Sequence, residues 1–150
     1  GTKYEDLIDP MRESVENNLE VLDGRKEFCL LHCEMAPWNL LGNREEIMAL
    51  LDWERSISGD PEYDLFLTER FLSIPGPTSG KLHEKENEII ETVYEGYQSK
   101  KTLDDGWRQR RTLYRIANLA YQMWLIEGDK QALRERWKKL KQEAKNIEVQ

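Results

Sequence analysis

The sequence is poor in several things, and each shortage narrows what the chain can be. It holds two cysteines, Cys29 and Cys33, which on one strand would stand ~13 Å apart, too far for a disulfide. No apolar run approaches the ~18 residues that a membrane span requires, and the opening residues carry no basic-then-apolar leader. Neither membrane insertion nor secretion is expected; a reducing cytoplasm is. Positive charge is also in deficit: 22 Lys and Arg against 29 Asp and Glu give a net charge of −7, the reverse of a nucleic-acid footprint. Repeats and low-complexity segments are missing as well. What remains, 39% hydrophobic and 34% charged over 150 residues, describes one well-solvated globular domain spanning residues 1–150.

The informative stretch runs from Phe28 to Glu54. Within its apolar segments stand three polar residues with no packing reason to be there: Glu34, Asn39 and Asp52. Phe28 to Cys33 suits a buried strand, and Asn39-Leu40-Leu41 begins another after the Pro37 break. Gly42-Asn43-Arg44-Glu45 has turn chemistry, and Ile47 to Trp53 reads as the returning strand of a hairpin. Pairing of Leu40 or Leu41 near Leu50 or Ala49 would carry Asp52 back beside the loop holding Glu34 and Asn39. Two carboxylates and an amide oxygen would then meet at one end of a small sheet, a donor set suited to a hard cation such as Mg²⁺.

Around this hairpin the periodicity predicts helices. Asp9-Pro10 is a start signal for a helix ending at Gly24, with Met11, Val15, Leu19 and Leu22 on its apolar face. Asp60-Pro61 opens a second helix through about Leu72, with Tyr63, Phe66, Leu67, Phe71 and Leu72 inward. After a loop over Ser73–Gly80, a third helix is marked by Leu82, Ile89, Ile90, Val93, Tyr94 and Tyr97, with His83 exposed at its start. A fourth, from about Asp105 to Glu127, carries Leu113, Ile116, Ala117, Ala120 and Trp124, widened by Tyr114, Tyr121 and Leu125. A fifth, capped by Asp129, carries the narrow seam of Leu133, Trp137, Leu140, Ala144 and Ile147, which could dock on this lobe or on a partner chain. The expected fold is α+β and mainly α, about five helices around a small antiparallel hairpin sheet.

His32-Cys33-Glu34-Met35-Ala36-Pro37-Trp38-Asn39 resembles the H-G-D-x-x-x-x-N catalytic loop of the aminoglycoside phosphotransferase and choline kinase group, relatives of the protein kinases. Leu51-Asp52-Trp53-Glu54 resembles the I-D-W-E metal segment of that group, and Ser58 to Leu65 its G-D-P-x-x-D-L segment. The resemblance implies a kinase-like carboxyl-terminal lobe. It gives Glu34 the place of the Asp that accepts or orients the substrate hydroxyl proton, and Asn39 and Asp52 the Mg²⁺ that bridges nucleotide phosphates. It makes His32 a structural residue of the loop and Asp64 its hydrogen-bonding brace. The implied cofactors are Mg²⁺ and ATP; the implied substrate is a small-molecule hydroxyl compound, and the acidic chain suits a cationic one. Nucleic acid and membrane are not expected partners.

Two positions depart from the pattern. Glu34 replaces Asp, and one extra methylene moves a carboxylate by roughly 1 Å, which can cost about 10²-fold where positioning carries catalysis. Cys33 replaces Gly and gives up backbone freedom. Moreover, only 31 residues precede His32, and they hold neither a glycine-rich loop nor a strand lysine. The expectation is a substrate-side lobe that lacks the amino-terminal nucleotide lobe and is inactive alone, with no residue here assigned to the nucleotide. The alternative is a catalytically dead kinase-like module that binds a protein.

Other features have plainer readings. Trp107 to Arg111 and the cations from Arg134 to Lys141 read as solvated helix faces. Cys29, His32 and Cys33 lack a fourth soft ligand for zinc, and strand alternation turns His32 from both cysteines. Trp38 and Trp53 adjoin the candidate ligands and are expected to pack around the hairpin.

Overall fold

The structure is a computed structural model that describes residues 5–23, 27–73, 85–125 and 130–147. Among these are five α-helices and four short strands, an α+β fold that is mainly α. The elements fall into two compact units. One comprises residues 1–24 and 105–150, the other residues 25–104.

The first unit is helical. Helix α1 spans Glu5–Glu16, α4 Trp107–Leu125 and α5 Lys130–Ile147. Helix α1 does not start at Pro10 as the Asp-Pro signal suggested; it encloses that proline. An interior proline costs about 3 kcal/mol. Upstream Leu7 is buried together with Met11 in a core with Ile116, Leu119, Leu133, Trp137 and Leu140, and at about 1.5–3 kcal/mol per buried side chain the two offset that cost. The helix also ends earlier than expected, at Glu16, with Asn18 donating from Nδ2 to the Ser14 carbonyl at 2.7 Å. A separate 3₁₀ turn, Leu19–Leu22, follows, so Leu19 is exposed rather than part of an apolar face.

The α5 seam of Leu133, Trp137 and Leu140 is buried inside this unit's own core; the side chains of Ala144 and Ile147 lie outside the described residues. On α4, Ala117 and Tyr121 are exposed whereas Leu119, not foreseen, is buried. The side chains of Trp124 and Leu125 and the Asp129 cap lie outside the described residues.

The second unit holds the strands. Strand β1 is Cys29–Leu31, β2 Leu40–Gly42, β3 Ile47–Leu50 and β4 Ile57–Gly59. Strands β2 and β3 form the expected hairpin with Leu40 opposite Leu50 and Leu41 opposite Ala49. A bulge follows at Gly42, where a Cβ would stand 2.5 Å from the Glu46 carbonyl oxygen, so only glycine fits. Asn43 caps the turn by accepting the N–H groups of Glu45 and Glu46.

Strand β1 is shorter than the apolar run and is not buried throughout: Phe28 and Leu30 are exposed and Leu31 and His32 buried. Its partner is β4, a pairing absent from the sequence expectation, with Cys29 opposite Gly59 and Leu31 opposite Ile57. A Cβ on Gly59 would come within 2.7 Å of Leu31 Cδ1, so a larger residue there would force the buried Leu31 side chain to shift.

Beyond Gly59 the chain enters α2, Pro61–Leu72, capped by Asp60, whose Oδ1 accepts the Glu62 N–H at 2.9 Å. Leu65, Phe66, Leu67, Thr68 and Phe71 are buried on it, while Tyr63 and Leu72 are half-buried. Helix α3, Glu86–Gln98, packs on α2, and Tyr94 donates to Glu69 at 2.7 Å. The loop over residues 74–80, Leu82 and His83 lie outside the described residues.

Candidate active site

The site is assembled where β1 ends, where β3 ends and where α2 begins, all within residues 25–104. Because β4 runs antiparallel to β1 and stops opposite Cys29, α2 folds back along β1. Asp64, in its first turn, thereby meets the amides that follow Leu31. Its Oδ2 accepts the His32 N–H at 2.8 Å and its Oδ1 the Cys33 N–H at 2.9 Å. One carboxylate holds two successive backbone donors, each a charge-assisted bond.

Those amides converge because the chain turns at Cys33, whose φ is 63°. This left-handed conformation suits glycine and strains most other residues. Burial lifts the half-buried Cys33 thiol above its ordinary value of 9.0, the Asp64 charge adds to the rise, and a hydrogen bond from the Ile57 backbone offsets part of it. Cys29 is exposed, and both cysteines are free thiols.

His32 is 1% exposed, and both its ring nitrogens are used. Nε2 lies 2.8 Å from the Leu51 carbonyl oxygen, which can only accept, so Nε2 carries the proton. Nδ1 then accepts the Glu34 N–H at 3.2 Å. The two bonds select a single neutral tautomer and tie the loop to the end of β3. Trp53 presses on the same ring edge-on, with centroids 4.7 Å apart, and donates from Nε1 to the Leu50 carbonyl at 2.8 Å.

Glu34 has its backbone pinned on both sides. Its carbonyl accepts Asn39 Nδ2 at 3.0 Å and the Ala36 N–H at 2.7 Å. Its carboxylate, 20% exposed, stands 3.3 Å from Arg55 Nε. Asn39 is 6% exposed, and its carbonyl accepts the Leu51 N–H at 2.8 Å. With Nδ2 committed to Glu34, the amide leaves Oδ1 as its outward acceptor. Leu51 is thus clasped by both ends of the loop, through His32 on its carbonyl and Asn39 on its N–H.

Asp52 follows directly, exposed and at φ 64°, a conformation that Asp tolerates better than most residues. The hairpin register brings Asn39 and Asp52 to the same end of β2 and β3. Their amide and carboxylate oxygens are hard donors, and Mg²⁺ takes such ligands alongside water and phosphate. In donor chemistry these two residues suit that ion. Among the described residues no group of three or more His, Cys, Asp or Glu side chains is placed to hold a metal.

Trp38 packs edge-on against Phe71, centroids 6.0 Å apart, and like Trp53 keeps 43% of its surface exposed. A cavity of about 330 Å³ is lined by Asp64 together with Leu31, Met35, Leu65, Thr68 and Val93. Sequence reasoning missed two participants. Arg55 could have been suspected only from its place in the turn just after Asp52. Leu51 acts through its backbone and leaves no signal in its side chain.

Among the described residues no helix is long and apolar enough to cross a membrane. Compared with known proteins, residues 3–113 match the family model described as the phosphotransferase enzyme family. No curated protein and no solved structure matches the chain.

Proposed function

Because the chain belongs to the phosphotransferase enzyme family, we propose that it carries the substrate-side half of a Mg²⁺-dependent transfer of the ATP γ-phosphate to a hydroxyl of a small molecule. The acidic balance of the chain favours a cationic acceptor. The observation that carries the reading is the placement of Asn39 and Asp52 at one end of the hairpin beside the pinned Glu34. Asn39 Nδ2 also serves the loop by donating to the Glu34 carbonyl, which leaves its Oδ1 and the exposed Asp52 carboxylate for a ligand.

In this reading Asn39 Oδ1 and the Asp52 carboxylate hold Mg²⁺, which when bound neutralises phosphate charge. Glu34 accepts or orients the proton of the substrate hydroxyl. Asp64 and His32 touch no substrate; they fix the loop so that Glu34 starts from one backbone position. No residue of the chain is assigned to the nucleotide, so these 150 residues alone are expected to turn over slowly or not at all.

A second reading, a protein-binding module without catalysis, draws on one observation: Phe28, Leu30, Ile47 and Met48 are all about two-thirds exposed. A tryptophan-fluorescence titration with Mg²⁺ and then Mg·ATP separates the two, since Trp53 adjoins Asp52. A saturable change that disappears in Asp52→Ala supports the metal site. No change in either protein overturns a metal site formed by these residues alone; the site then needs a further lobe or has decayed, and the same titration on a longer chain separates the lobe from the binding module.

A further inference from the structure

We propose that Arg55 is a positioning residue that clamps the carboxylate of Glu34 in a single orientation. The inference rests on the phosphotransferase reading for its functional meaning, but its structural content stands by itself. The pairing is Arg55 Nε to Glu34 Oε2 at 3.3 Å.

An ion pair half open to water is ordinarily worth little, because two long side chains must be ordered to make it. Here most of that ordering is already done. Glu34 has its N–H on His32 Nδ1 and its carbonyl on Asn39 Nδ2 and the Ala36 N–H, so only its side-chain torsions remain free. Arg55 grows from a turn that is held as well. Ser56 donates its N–H to the Trp53 carbonyl at 3.1 Å, and the Trp53 indole is fixed by Leu50 and by the His32 ring.

Both ends of the pair are therefore anchored to the same ring, that of His32. Among the described residues Arg55 is the one partner of the Glu34 carboxylate. The side chain it holds is also the one that needs holding. Glutamate has one more rotatable bond than aspartate, so a carboxylate on the longer stem is harder to aim. The contact is a single one, from Nε to Oε2, and the planar guanidinium has further donors that a small shift of either side chain would bring to the same carboxylate. The turn after Asp52 thus has two tasks, presenting the metal-side carboxylate and steadying the base.

Side-chain NMR on selectively labelled glutamate tests the clamp in the chain itself, without turnover. The Glu34 side chain is expected to be ordered in the wild type, to become as mobile as exposed Glu45 and Glu46 in Arg55→Ala, and to recover part of its order in Arg55→Lys. The urea midpoint should stay where it is, which separates aiming from stability. Glu34 equally ordered in Arg55→Ala, or already as mobile as Glu45 in the wild type, overturns the clamp.

Turnover of Mg·ATP with hydroxyl acceptors gives the second readout. Arg55→Ala should lower kcat on the order of tenfold with KM for ATP unchanged, but by less than about twofold in a Glu34→Asp background, where the shorter side chain falls short of Arg55. An equal fall in both backgrounds overturns a role through Glu34. Absence of turnover in the wild type is what a lone substrate-side lobe gives, and the NMR comparison then decides the clamp.

Discussion

His32 donates its Nε2 proton to the carbonyl oxygen of Leu51 at 2.8 Å, and this one bond joins the loop that carries Glu34 to the strand end that presents Asp52. Leu51 returns the connection by donating its own N–H to Asn39. The candidate site is therefore a closed circuit of backbone and ring, and its weak points can be named.

His32→Ala removes the ring from a place that is 1% exposed and leaves the Leu51 carbonyl and the Glu34 N–H without their partners. Orphaned buried groups cost about 1–3 kcal/mol each, and a vacated ring adds a cavity term. A loss of about 3–5 kcal/mol in urea unfolding is expected. A loss below ~1 kcal/mol would mean that the circuit does not hold the loop.

Asp64→Asn keeps the shape of the side chain but can accept only one of the two N–H groups of His32 and Cys33. Loss of one charge-assisted bond should cost about 1–3 kcal/mol. Amide exchange should quicken at one of the two residues and not at the other. Unchanged exchange at both would contradict the bidentate brace.

Cys33→Gly should stabilise the fold, because glycine relieves a φ of 63° that costs other residues about 1–2 kcal/mol. Glycine's own entropy takes back roughly 0.5–1 kcal/mol. The net gain, about 0–1.5 kcal/mol, corresponds to a rise of up to roughly 6 °C in melting temperature. A fall in melting temperature would show that the thiol contributes more than the strain costs.

The Cys33 thiol also sets a pH dependence. Its folded pKa is raised above the ordinary 9.0, so the folded state binds this proton more tightly than the unfolded chain does. That contribution is complete below pH 9.0 and is lost as pH rises through the folded value. Wild type should therefore lose stability above pH 9.0 more steeply than Cys33→Gly, and iodoacetamide at pH 8 should alkylate exposed Cys29 before Cys33. Parallel alkaline limbs would remove the thiol from the account.

Gly59→Ala places a methyl group 2.7 Å from Leu31 Cδ1, and Leu31 is 1% exposed, so it has little room to yield. A cost of about 1–3 kcal/mol is expected, with partial recovery in the double variant Gly59→Ala, Leu31→Val. Equal stability of Gly59→Ala and wild type would show that β1 and β4 can separate without penalty.

The sequence by itself determined what local chemistry controls. Asp60-Pro61 sets the start of α2 because a side-chain acceptor and a fixed φ act within one turn. The Gly42-Asn43 turn and the flanking apolar residues set the β2–β3 register, because a short connection leaves few ways to pair. The identities of Glu34, Asn39 and Asp52 as misplaced polar residues were likewise legible, each standing out against its apolar neighbours.

Only the tertiary structure decided what depends on residues far apart in the chain. Ile57-Ser58-Gly59 is too short to announce a strand, and β1 recruits it. Helix α1 begins upstream of the Asp9-Pro10 start signal and runs through Pro10 because burial of Leu7 and Met11 outweighs the cost of an interior proline. The strain at Cys33, the tautomer of His32 and the grip of Arg55 on Glu34 are set by where β3 and α2 deliver Leu51, Asp64 and Arg55. Spacing along a chain carries no record of those meetings, because hydrogen bonds and ion pairs form by proximity in space.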